Sequence, residues 1–115
     1  MNDSILNSIK KLLGIASDYT IFDQDIIIHI NSVFMILMQL GVGPTAGYSI
    51  TDESNVWSEF VDSSTQLEAV KSYVYLRVRL LFDPPQSGSL IDAITKTIDM
   101  LEWRLNVEVD PGVEI

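Results

Sequence analysis

A chain of 115 residues with 47% hydrophobic side chains and no cysteine fits one small domain with its own core, and it excludes disulfides and thiolate metal sites. Sixteen acidic residues against seven basic ones leave a formal charge of −9, and only Lys10 and Lys11 adjoin, so there is no basic stripe to neutralise phosphates and no tight DNA binding is expected. The absence of cysteine and of a basic leader in Met1-Asn2-Asp3-Ser4 favours an intracellular origin without a signal peptide.

Helical periodicity organises nearly everything that follows. Ile5, Leu6, Ile9, Leu12 and Leu13 share one stripe, and Gly14 stands where a helix C-terminus takes a left-handed residue, so a short first helix is expected. An acidic turn over residues 18–23 offers Thr20 or Asp23 as the cap of a long second helix, which reaches about Leu40 before Gly41 and Pro44 end it. That helix is apolar on more than one side. Ile26, Ile30, Val33, Leu37 and Leu40 make its main face, Ile27 and Phe34 widen it, and Ile28, Met35 and Met38 spread onto another. Residues 26–43 approach membrane-spanning length, but His29, Asn31, Ser32 and Gln39 mark a buried helix of a soluble domain, and no membrane association is expected.

Residues 42–63 form a long loop, with an extended piece at Tyr48–Ile50 and a helical turn near Trp57–Phe60; such a loop in a small domain is usually functional or mobile. The third helix begins at Ser64 or Thr65, where Thr65 and Glu68 have capping-box spacing, and it stops near Phe82 ahead of Pro84 and Pro85. Leu67, Val70, Val74, Val78 and Leu81 form one face, while Ala69, Tyr73, Leu76 and Leu80 line much of the other side, which makes this the central helix. The fourth helix runs from about Ser89 to Leu105 on a stripe of Leu90, Ile91, Ile94, Ile98, Leu101 and Leu105, with Trp103 opposite. A helical domain over residues 1–106 is therefore followed by an extended arm over residues 107–115, where apolar and acidic residues alternate around a Pro-Gly turn.

The chain carries little that suggests catalysis. The Gly41–Gly47 segment has neither the dinucleotide nor the Walker spacing, lacks the lysine, and follows a helix, so it reads as a turn. His29 is the only histidine, and with Asp25 one turn before it the pair reads as solvated neighbours. No nucleophile, base and orienting group can be assembled. No enzyme, cofactor or metal is expected.

Side chains that would meet another molecule are more informative. Trp103 has two readings, packing under the 42–63 loop or anchoring a partner, and Val107 and Val109 on the arm would dock on a neighbour. Met35 and Met38 add a second apolar side to the second helix. Arg77 sits among Val70, Tyr73 and Leu81 with no acid at helical spacing. Either its stem covers apolar surface while the charge stays wet, or another element or subunit supplies a carboxylate; a subunit interface is the hypothesis adopted.

The order of these elements, with "KKLLGI" ending the first helix, the acidic turn "SDYTIFDQDI", a long helix, a loop, "LEAVKSYVYLRVRLLFDPP" and a last amphipathic helix, resembles the head-tail connector (adaptor or head-completion) proteins of long-tailed bacteriophages over about residues 5–105. The resemblance implies an all-α virion protein, assembled in the host cytoplasm, in a homo-oligomeric ring of roughly twelve copies beneath the portal. It implies contacts with the portal and with the next connector, stopper or tail protein at the head-tail junction, a part in DNA packaging, and a channel through which DNA passes without specific binding. The rival reading is a small acidic regulator or DNA mimic acting by protein-protein interaction, which the scattered placement of the acids weakens.

Overall fold

The computed structural model describes residues 2–109 and is built of four α-helices, with no strand among those residues. They are α1 (Ile5–Leu12), α2 (Asp23–Gln39), α3 (Ser64–Phe82) and α4 (Gly88–Val109), with a 3-10 turn at Trp57–Glu59 between α2 and α3. The all-α architecture and the long connection after α2 follow the hydrophobic periodicity. Residues 110–115, the greater part of the expected arm, lie outside the described residues.

Local chemistry fixes the ends of the elements. The Ser4 hydroxyl accepts from the Asn7 N–H at 3.2 Å and caps α1. At the other end Gly14 takes φ 82°, and its N–H and that of Ile15 donate to Lys11 and Lys10 carbonyls, a Schellman closure that satisfies two orphan acceptors. The cap expected for α2 is not formed: Phe22 occupies the N-cap position without a side-chain bond, and the Asp23 carboxylate turns instead to Lys10. The cap of α3 is also displaced. Ser63, not Ser64 or Thr65, accepts from the Gln66 N–H, so the operative spacing is Ser63-x-x-Gln66.

Helix α3 touches each of the other three helices, and α1 packs on α2 and α3. Its buried side chains are Leu67, Val70, Tyr73, Val74 and Val78; Leu81, expected on this face, is 55% exposed. Phe82, four residues after Val78, takes the inward place and packs edge-on against Phe22. Helix α4 lies along α3 through Ile94, Ile98, Leu101 and Leu105, while Leu90 at its start is exposed. Only five residues join α3 to α4, which makes them antiparallel neighbours.

Two boundaries of α4 differ from the sequence reading. Ser87 rather than Ser89 serves its first turn, accepting from the Leu90 and Ile91 N–H groups through its hydroxyl and carbonyl. At the far end Val107, Glu108 and Val109 continue the helix, so the arm does not begin at 107. The next helix breaker is Pro111, and until then an apolar-acidic alternation does not oppose helix propagation in a helix already formed.

The connection between α2 and α3 is tied down along its length. Asn31 on α2 grips Ile50 twice, donating to its carbonyl at 3.0 Å and accepting from its N–H at 2.8 Å. This pairing occupies the backbone of the stretch expected to be a short strand. Phe60 stacks on Phe34 with ring centroids 4.2 Å apart, and Gly43 is pressed so close to Phe60 that a Cβ there would lie 2.5 Å from the ring. Trp57 is fully buried, its indole N–H donating to Ser8 Oγ at 3.1 Å. The Ile5 N–H donates to Asn55 and the Trp57 N–H to Asp3, so the loop also holds the chain's first turn.

Candidate functional site

Three side-chain assemblies stand out from this scaffold. The first is the surrounding of Arg77. On α3, Tyr73 lies one turn before it, and Arg77 Nε donates to the Tyr73 hydroxyl at 2.7 Å. Glu102 reaches across from α4: its Oε2 accepts from Arg77 at 2.7 Å and from the Tyr73 hydroxyl at 2.6 Å. The guanidinium also lies 5.3 Å from the Tyr73 ring centroid.

These contacts close a triangle in which each group fits the others' charge. Burial, together with donation to Glu102, pushes the Tyr73 hydroxyl far above its usual range. For Glu102 burial acts against ionisation, but the hydrogen bonds from Tyr73 and Arg77 and the Arg77 charge outweigh it and hold the carboxyl below its usual range. For Arg77 burial likewise works against the charge and is overcome by bonds to Glu102 and Tyr73. The carboxylate therefore comes from the same chain, and Arg77 needs no second subunit to be paired. It fastens α4 to α3.

The second assembly was not legible in the sequence. Lys10 is fully buried, its ammonium donating to the Ser17 carbonyl at 3.1 Å and the Tyr19 carbonyl at 2.8 Å and forming an ion pair with Asp23 Oδ1 at 2.8 Å. That buried Asp23 oxygen receives no hydrogen bond, so the charge of Lys10 alone compensates it. One cation thus joins the end of α1, the acidic turn and the start of α2. The motif "KKLLGI" and the turn "SDYTIFDQDI" are two halves of one contact.

The third comprises apolar side chains left outside the core. Met35 is 61% exposed and Met38 half-buried, and with Gln39, Pro44 and Ala46 they line a groove of about 360 Å³ whose rim is the Gly41–Gly47 segment. Trp103 is 65% exposed on α4, so it is not covered by the 42–63 loop, whose own Trp57 is the buried tryptophan. Met100 and Val107 lie one turn either side of Trp103, Met100 exposed and Val107 half-buried. Val109 closes the helix backbone, and its side chain lies outside the described residues. The Asn106 amide donates to the Leu40 carbonyl at 3.5 Å, bringing the C-terminal ends of α2 and α4 together. Arg77 belongs to neither apolar surface. The molecule is 20 Å through its thinnest dimension, about two helices deep, which leaves the outer faces of α2 and α4 without cover.

His29 is half-buried with its ring centroid 6.4 Å from that of Phe82, while Asp25 is exposed. Among the described residues no group of three or more His, Asp or Glu side chains is placed to hold a metal ion, and no helix is long and apolar enough to cross a membrane. A family model described as phage connector protein matches residues 5–112. No curated protein and no solved structure matches the chain.

Proposed function

The chain belongs to the phage connector protein family, and from that premise we propose that it forms a ring beneath the portal, joining the DNA-filled head to the tail and extending the DNA channel. The observation that carries this reading is the family match, which spans both ends of the helical domain rather than one motif within it. Its role is structural and non-catalytic. Copies of the chain contact one another, the portal and the next connector, stopper or tail protein at the head-tail junction of the virion.

Two physical features support the reading. Exposed Met35, Met100 and Trp103 on the outer faces of a thin helical bundle supply apolar area for neighbours. A formal charge of −9 lets DNA pass a channel wall without adhering to it. The test is joining in vitro. Filled heads made without this protein should not accept purified tails until the protein is added, whereupon joined particles appear by electron microscopy; heads that accept tails equally well without it would contradict the reading.

A further inference from the structure

Helix α3 turns one side to α4 and leaves the opposite side open. Tyr73 and Arg77 meet Glu102 of α4, and at the helical repeat Glu68, Lys71 and Tyr75 lie on the far side of α3 from them. These three line a groove of about 890 Å³ between α3 and α1, where Leu12 of α1, 51% exposed, adds an apolar side chain to the half-buried Tyr75. Helix α4 also has an open side. Its Ile94, Ile98, Leu101 and Leu105 are buried, and Lys96, Asp99 and Trp103 lie opposite them, all three exposed.

The two open stripes are complementary in kind and in spacing. Glu68, Lys71 and Tyr75 follow one another at intervals of three and then four residues, and so do Lys96, Asp99 and Trp103. Parallel helices that meet along such a stripe set corresponding residues side by side, as the a and d positions of a coiled coil do. In that register Lys96 meets Glu68, Asp99 meets Lys71 and Trp103 meets Tyr75, two pairs of opposite charge followed by an aromatic pair. One turn earlier the same register puts Asp92 beside Ser64 in the first turn of α3, where the helix dipole favours an anion. Among the described residues Glu68, Lys96 and Asp99 take part in no ion pair, and Lys71 has only the largely exposed Asp3, at 4.0 Å. A chain cannot fill its own groove, because the α3 stripe faces away from α4 and the α4 stripe faces away from α3.

We propose that the open face of α4 in one copy lies parallel to α3 in the α1–α3 groove of the next copy, with Trp103 seated against Tyr75 and Leu12. The proposal rests on the ring reading and deepens it by naming the contact between neighbours. Because the two faces differ, the contact is heterologous: each copy offers a groove on one side and a ridge on the other, so association continues around a ring instead of stopping at a dimer. Trp103 supplies the affinity, and the charged pairs fix the register and reject a displaced neighbour.

The test uses purified portal and the full-length chain. The chain has no cysteine, so Glu68→Cys/Lys96→Cys reports on this contact alone. Oxidising the portal-bound double variant should give a ladder of disulfide-linked multimers in steps of one chain on a denaturing gel, while either single variant stays unlinked. Glu68→Lys and Lys96→Glu alter exposed side chains and should melt with the wild type, yet each should raise the concentration needed to fill the portal by about tenfold, and combining them should restore it. A filled wild-type ring with no ladder from the double-cysteine variant would overturn the proposal, as would single charge reversals that fill the portal like the wild type. Linked dimers from either single variant would reveal a two-fold contact and overturn it too. A wild-type protein that never forms a ring on the portal would instead bring down the ring reading itself, and the proposal with it.

Discussion

Replacing Arg77 by Met keeps the apolar stem and removes the charge, which isolates the triangle with Tyr73 and Glu102. In the wild type Glu102 Oε2 receives two short hydrogen bonds, and one of them, with the whole ion pair, is lost in the variant. Stranding one member of a fully buried pair costs about 3–5 kcal/mol. The Arg77 and Glu102 side chains are 34% and 29% exposed, so water recovers part of that. Solvent screening brings the expected loss to about 1–2 kcal/mol. For a domain of this size that is a fall of roughly 4–8 °C in melting temperature. Differential scanning calorimetry of the isolated protein measures it directly. The pair also sets a pH signature. The Glu102 carboxyl is held below its usual range in the folded state, so its contribution is present above the unfolded carboxyl range and is lost as pH falls through the depressed folded value. The stability gap between wild type and Glu102→Gln should therefore be full at pH 7 and shrink at acid pH. An Arg77→Met protein that melts with the wild type while failing to assemble would refute the intrachain role and restore a second subunit as the source of the partner.

Two other outcomes follow from the surfaces. Trp103→Ala should leave the unfolding free energy within about 0.5 kcal/mol of the wild type, since the indole is 65% exposed, yet weaken binding to a purified partner by roughly 2 kcal/mol as a hot spot; equal losses of both would place it in the core. The free protein, with a charge of −9, should give no duplex DNA shift at physiological salt, and a salt-sensitive shift at micromolar protein would contradict a passive channel wall.

Helix number, order and approximate limits were legible because each helix carries a stripe that repeats at 3.6 residues, and because Gly14, Gly41 and Pro84 stop the chain where periodicity fails. What escaped was chemistry between segments remote from each other in sequence. Lys10 stood out in the sequence only as the neighbour of Lys11, and nothing local announces that Ser17, Tyr19 and Asp23 fold back around it. The one available signal was its place on the α1 wheel, one residue past Ile9 and four past Leu6, within reach of the apolar stripe. Arg77 was correctly singled out as needing a partner, and Tyr73 was visible one turn away, but the deciding carboxylate stands on another helix. Glu102, beside the core position Leu101, was the candidate to weigh. The end of α4 was misjudged because a short apolar-acidic alternation satisfies a strand period and a helix edge equally, and the context of a helix already formed decides. Among the interface candidates, Met35 and Trp103 do lie on open surface, whereas Arg77 is turned into the α3–α4 contact.

The central claim is that many copies of this chain dock on a portal as a closed ring. Native mass measurement of portal complexes purified with and without the protein tests it most directly. The ring account predicts a discrete mass increment corresponding to about as many 12.9 kDa chains as there are portal subunits, with no stable intermediate numbers. A single bound copy, or a portal whose mass is unchanged in the presence of excess protein, would contradict it.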